Sequence, residues 1–355
     1  MGSNIVSWPG LVFLAFPEKE EMLREELAGR YGIEVSPKDG SEKRFADDVV
    51  PAAPSRAEWF GSLLYVPGME VVPSETGANP YPYWAQTVML EPSLLRFDSA
   101  GDAAKAMRQI QRNWASRQYQ SWRRAELICE KLPFVSVKPK AFPFGLPETP
   151  MGLFTLLNGH CALISSKTSD TVYAGMVALE EDHQNPPSRA YMKLQEGLLR
   201  HRALFGSELP GAGMRCLDAG ACPGGWTWVL RGLGADVHAI DRSPLAPSLM
   251  RDPHVVFQSH DAFTLAPEDL GRFDWVVSDV ICYPERLLEW VRRWIDSGSV
   301  SNMVCTIKLQ GGTDWRVVAD FASIENSHIR HLNANKHELT WLWARENRRV
   351  SGKVG

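Results

Sequence analysis

The sequence predicts an α/β second half, a mostly parallel sheet with helices on both faces, preceded by an α+β first half. Three observations carry this. From about Ser188 onward, apolar strand candidates alternate with helical stretches. The last two strand candidates are joined by only a short connection. The first half follows neither pattern. Alternation argues for parallel strands linked by crossover helices, and a short connection permits only an antiparallel pair at a sheet edge.

In the second half the expected strands are Arg215–Ala219, Asp236–Asp241, His254–Asp261, Phe273–Asp279 and Asn302–Leu309. Pro284–Ile295 and Thr313–Glu325 are expected helices, and His328–Leu332 with Glu338–Arg345 the antiparallel pair. In the first half, "GLVFLAF" reads as a strand and "PEKEEMLREELAGRYG" as a helix closed by Gly32. Val49–Tyr83 is rich in proline and poorly patterned. A second helix is expected from Ser99 to Trp114, and Leu132–Pro150 must be largely extended because of its prolines. "FTLLNGHCALISS" reads as a hairpin turning at Asn158-Gly159. The pattern changes between about Val177 and Pro187, which divides the chain into residues 1–180 and 181–355.

Composition narrows the function classes. Charged residues make up 23% and the net charge is -4, so any surface for a polyanion must be local. The six cysteines, Cys129, Cys161, Cys216, Cys222, Cys282 and Cys305, form no C-x-x-C pair and no zinc spacing. No metal is expected, and scattered thiols suit a reducing cytoplasm. No secretory signal and no membrane-spanning run is evident.

The most informative stretch is "CLDAGACPGGWTWVL", Cys216–Leu230. A strand turns through Pro223-Gly224-Gly225 into an apolar helix, placing backbone N–H groups and a helix N-terminus at the carboxyl edge of the sheet. Open α/β sheets bind ligands there, and helix N-termini favour anionic groups. Asp241 ends the next strand, where a carboxylate can grip a ribose diol. A dinucleotide and S-adenosylmethionine both fit so far. The order Asp218-x-Gly220-x-x-Pro223-Gly224-Gly225 departs from G-x-G-x-x-G. An acidic residue in the strand suits a ligand carrying an ammonium group better than a pyrophosphate. The plainer reading is a glycine turn needed only for helix–strand packing.

Four charged residues fall around this turn. Lys193 lies one turn into a helix that Ser188 could cap; Asp279 and Lys308 end strands, and Glu338 begins the last one. Each alone reads as a solvated charge; together they bracket one crevice.

These residues carry a resemblance. Ser188–Leu194, "DAGACPGGWT", Asp279, Lys308 and Glu338 resemble the FtsJ-like ribose 2'-O-methyltransferases, whose hallmark is a Lys-Asp-Lys-Glu tetrad in this order. Within them the chain looks most like the RlmM type, which acts on a cytidine of large-subunit (23S) ribosomal RNA. The resemblance implies a Rossmann-like methyltransferase domain behind a THUMP-like RNA-binding region, with S-adenosylmethionine as cofactor. Lys193, Asp279, Lys308 and Glu338 would be catalytic. Ser188, Asp218, Gly220, the turn Cys222, Pro223, Gly224, Gly225 and Trp226, then Asp241, Asp261 and Asp279 would hold the cofactor, with Asp261 near the adenine.

The reaction needs a ribose hydroxyl to lose its proton. Lys308 is the expected general base, which requires its pKa to be lowered by burial or by Lys193; Asp279 opposes that shift and would position it. Two alternatives remain. Cytosine C5 methylation needs a cysteine nucleophile, and Cys282 and Cys305 lie near strand ends. A non-catalytic RNA-binding protein would use the cofactor only structurally. For RNA, Lys105, Arg108 and Arg112 are expected on one helix face. "RNWASRQYQSWRR" follows, with Arg117, Arg123 and Arg124 among Trp114, Tyr119 and Trp122. Basic groups hold phosphates and aromatics stack on unpaired bases; the plainer reading packs the aromatics inward.

Overall fold

The computed structural model describes residues 4–38, 43–71, 78–309 and 312–346. Those within 1–72, 80–138 and 146–178 form one compact unit, and those within 73–79, 139–145 and 179–355 form a second.

The first unit contains β1 (Asn4–Ser7), β2 (Gly10–Ala15), α1 (Glu20–Tyr31), β3 (Glu58–Phe60), β4 (Leu63–Pro67), β5 (Ala85–Met89), β6 (Ser93–Arg96), α2 (Ala100–Ile110), β7 (Trp114–Ser116), α3 (Trp122–Cys129), β8 (Gly152–Leu156) and β9 (Cys161–Ser165). They make two sheets, ordered β3-β4-β2-β5 and β1-β6-β9-β8-β7. Side-chain alternation along β8 and β9 divides the core. Leu153 and Leu163 join Val12, Leu14, Tyr65 and Met89 of the other sheet. Phe154 and Ile164 face α2 and α3, meeting Ala103, Met107 and Ile128. Both faces of this sheet are thus covered, one by a sheet and one by helices.

Several expectations change here. β3 and β4 lie in the stretch that looked unpatterned; Leu63, Leu64, Tyr65 and Val66 are all buried, so the run shows no alternation. Within that stretch, residues 72–77 lie outside the described residues. Ser99 caps α2, its hydroxyl accepting from the Asp102 N–H, but the helix ends at Ile110 and Gln111 is extended. The chain leaves the helix because Trp114 pairs with Gly152 in a parallel ladder. Arg112 is therefore not on the helix face shared by Lys105 and Arg108. Trp114 and Tyr119 pack into the core, while Trp122 is 64% exposed. Arg108 donates to the Lys131 carbonyl, and Arg124 to the carbonyls of Gly159 and Asp98, so both brace the fold.

The second unit contains α4 (Tyr191–Phe205), β10 (Arg215–Ala219), α5 (Gly225–Gly232), β11 (Asp236–Asp241), α6 (Pro247–Met250), β12 (Val255–Ser259), α7 (Pro267–Leu270), β13 (Phe273–Ser278), α8 (Pro284–Asp296), β14 (Val300–Lys308), α9 (Trp315–Ala322), β15 (Ser327–Arg330) and β16 (Glu338–Ala344). Its seven strands run β12-β11-β10-β13-β14-β16-β15. The first five are parallel; β16 is antiparallel to both β14 and β15. Strand order reverses between β10 and β13, which opens a crevice at the carboxyl ends. Ser188 does not cap α4: the helix begins at Tyr191 with Ala190 at the cap position.

Glu26 fixes the first unit's helix to its sheet. Its fully buried carboxylate accepts from the backbone N–H groups of Tyr83 and Trp84 at 2.8 and 3.0 Å and pairs with Arg30. Glu26→Ala would strand two buried donors and a cation. We expect a loss of about 3–5 kcal/mol, measured by denaturant unfolding.

Candidate functional site

The glycine turn is built by close backbone approach. Gly220 has φ +79°, and a Cβ there would lie 2.7 Å from that of Val280. A Cβ on Gly225 would lie 2.4 Å from the Ser188 hydroxyl. Only glycine lets β10, the segment after β13 and the approach to α4 meet so tightly. Asp241, at the end of β11, holds the turn: one carboxylate oxygen accepts from the Cys222 N–H at 3.0 Å, the other from the Ser243 N–H at 2.9 Å.

Beside the turn lies a pocket of about 150 Å³ lined by Gly220, Ile240, Asp241, Asp261, Phe263 and Ile281, among others. The lining combines apolar Ile240, Phe263 and Ile281 with the carboxylates of Asp241 and Asp261 and with Arg242, His260 and Arg286, a mixture that suits a flat base with a polar sugar. Arg242 and Arg286 reach the same oxygen of Asp261 at 2.5 and 3.0 Å. Burial pushes this carboxyl up, but the two guanidinium groups and the Phe263 N–H outweigh it and hold it below the ordinary range.

Two predicted cofactor residues are almost wholly buried and already bonded within the protein. Asp218 is 1% exposed and accepts from the Thr227 hydroxyl at 2.6 Å. Burial raises its pKa to about 7 despite that bond. Trp226 is packed in the core, its indole N–H donating to the Ala190 carbonyl at 2.8 Å. Both support the turn.

Lys193, Asp279, Lys308 and Glu338 come from four separate elements and close into a ring. Lys308 and Glu338 are direct cross-strand partners on β14 and β16, and Asp279 follows the end of β13. The Lys308 ammonium donates to Asp279 at 2.6 Å and to Glu338 at 2.9 Å. The Lys193 ammonium reaches the other oxygens of both carboxylates, at 3.0 and 2.5 Å. Each cation touches both anions. Burial alone would lower the Lys308 pKa, but Asp279 and Glu338 together raise it above the ordinary value. Burial would raise Glu338, yet the two lysines bring it below. The expectation that Lys308 would have a lowered pKa is corrected: its two carboxylate neighbours outweigh burial.

Sequence reasoning missed the residues that hold this machinery. His331 Nδ1 lies 3.0 Å from the Glu338 carbonyl, and the Asn335 amide bridges that carbonyl and the Thr340 hydroxyl. Only the nearness of Asn335 to Glu338 in sequence hinted at it. Arg242 and Arg286 gave no signal, because their partnership is tertiary.

Residues 186–310 match the FtsJ-like methyltransferase family. The matched stretch, about a third of the chain, is similar to that family. It contains the glycine turn, Lys193, Asp279 and Lys308, while Glu338 lies beyond it. Three curated relatives are named ribosomal RNA large subunit methyltransferase M. The protein of Halorhodospira halophila is 40% identical over 126 residues, 36% of this chain and 36% of its own. That of Alkalilimnicola ehrlichii is 39% identical over 158 residues, 44% and 41%. That of Edwardsiella ictaluri is 37% identical over 169 residues, 46% and 44%. The matched regions thus span less than half of each relative. Among the described residues no group of His, Cys, Asp or Glu could hold a metal ion, and no helix is long and apolar enough to cross a membrane.

Asp218 gives a test of the turn's electrostatics. A folded-state pKa near 7, against 3.8 in the unfolded chain, makes the native state bind the extra proton. Its contribution to stability therefore falls as pH rises from about 4 to 7. Asp218→Asn keeps an acceptor for Thr227 without the charge. Its melting temperature relative to the unsubstituted protein should climb across that window and level off above it.

Proposed function

We propose that this chain transfers a methyl group from S-adenosylmethionine to a ribose 2'-hydroxyl of RNA, a cytidine of large-subunit (23S) ribosomal RNA. The closed Lys193–Asp279–Lys308–Glu338 ring beside the pocket that holds Asp241 and Asp261 carries the reading. The family match and the names of the relatives support it.

The turn and pocket fit the cofactor. Asp241 retains lone pairs for a ribose diol, Asp261 lies where an exocyclic amine would be met, and Ile240 and Phe263 wall a flat base. Bound there, S-adenosylmethionine would supply an electrophilic methyl. The chain's own residues orient and deprotonate the hydroxyl. Lys308 shares its ammonium between Asp279 and Glu338, so it is held in place but protonated. It can accept a proton only when its surroundings change. RNA closing over a half-buried site would do this by excluding water, which disfavours the charged lysine. Lys193 and Glu338 are placed to hold the hydroxyl in line with the methyl, and alignment supplies much of the rate.

Base methylation through a cysteine finds no support in the thiols. Cys305 is fully buried and its pKa is pushed up; burial raises that of Cys282 to about 11. A thiolate is scarce at either. The first unit is read as the THUMP-like RNA grip, through the exposed Lys105, Arg112, Arg117 and Arg123 with Trp122. Six free thiols fit a cytoplasmic setting.

Lys308→Ala should lower methyl transfer by about a hundredfold or more while calorimetric affinity for the cofactor stays nearly unchanged, and Cys282→Ala should remain active. In the unsubstituted protein kcat/KM should rise with pH on the alkaline side, because it reports the free protein, where Asp279 and Glu338 hold the Lys308 pKa above the ordinary lysine value. Methyl transfer to unmethylated large-subunit RNA, with alkali resistance of the following phosphodiester, reads both. Turnover by Lys308→Ala that matches the unsubstituted protein would remove the base assignment.

For the grip, Lys105→Glu with Arg123→Glu should weaken RNA binding and flatten its log–log salt dependence by about one unit per lost contact. Binding curves across a salt series check this, with cofactor affinity as the control.

A further inference from the structure

Two large apolar side chains stand out beside the ring. Ile281 is 80% exposed and Tyr283 is 69% exposed. They are the second and fourth residues after Asp279, on the segment that leaves central strand β13 between the glycine turn on β10 and Lys308 on β14. Cys282, between them, is half-buried and feels the charge of Lys308. Val280 packs against Gly220. The segment is therefore anchored on its inner side and presents Ile281 and Tyr283 outward.

Tyr283 is also held in place. It caps α8 with extended backbone, and its carbonyl accepts from the N–H groups of Arg286 and Leu287 at 3.1 and 3.3 Å. That helix buries Leu287, Trp290, Val291 and Trp294 in the core. An exposed aromatic on a fixed helix terminus loses little freedom when a flat partner settles on it. Four residues of chain span at most about 14 Å, so the ring lies within reach of a nucleotide whose ribose is at Lys308.

We propose that Tyr283, flanked by Ile281, is the stacking platform for an unpaired base at or next to the reacting nucleotide. The proposal rests on the RNA ribose-methylation reading. A ribose delivered to the Lys–Asp–Lys–Glu ring carries a base that must leave its own stack. Sequence-specific RNA recognition places such bases on aromatic side chains. Ile281 lines the cofactor pocket as well, so one segment would register both reactants.

The test is steady-state methyl transfer to unmethylated large-subunit RNA at saturating cofactor. Tyr283→Ala should raise the KM for RNA by about five- to a hundredfold, the range for losing one base–aromatic stack, with cofactor affinity unchanged by calorimetry. Tyr283→Phe should restore it, because the ring and not the hydroxyl is required. Ile281→Ala should give a smaller rise. An unchanged KM in Tyr283→Ala overturns the proposal, as does a rise accompanied by an equal loss of cofactor affinity. A shift in self-association without change in KM would assign the face to a second copy instead. If the unsubstituted protein binds cofactor yet methylates no RNA, the functional reading itself fails, and the stacking role with it.

Discussion

The chemistry proposed for the second unit depends on one arrangement, two ammonium groups and two carboxylates closed into a ring. Burying any one of these charges alone would be costly. Burying all four is tolerable because each cation touches both anions. The ring also fixes where the sheet must end. Lys308 and Glu338 meet only if β14 and β16 are antiparallel in this register, and a slip of one residue would turn them to opposite faces. Asp279 joins only because β13 stops one residue earlier, beside Cys305.

Around the ring the structure works by pre-satisfaction. The Asp241 carboxylate is already engaged by two backbone N–H groups, and Asp261 by two guanidinium groups. The glycine turn thus keeps its shape through contacts of its own. Asp218 and Trp226 are likewise engaged within the protein, one bonded to Thr227 and the other to the Ala190 carbonyl.

Much of the second unit was legible because its physics is local. β10 and β11 begin and end where apolar runs meet turn residues, and Pro284 marks the start of α8. The four charged residues lie near recognisable strand and helix ends in the sequence itself. The first unit was harder to read. β5, "AQTVM", is buried on both faces despite its polar members, so neither alternation nor hydrophobicity marks it. The end of α2 is set by the Trp114–Gly152 pairing, a contact between residues 38 positions apart. The Lys308 pKa was misjudged for a related reason: burial was foreseeable, but simultaneous contact with two carboxylates was not.

The ring carries two positive and two negative charges, alternating around a small loop. Its monopole vanishes and its dipole nearly does, so its field dies away within a few ångströms. A polyanion approaching this mouth would be neither drawn in nor turned away by the groups that would act on it. In the proposed reaction, long-range capture and local chemistry would thereby be separable. Changes to distant surface charges would then retune how firmly a polyanionic substrate is held without altering the charge balance of the ring.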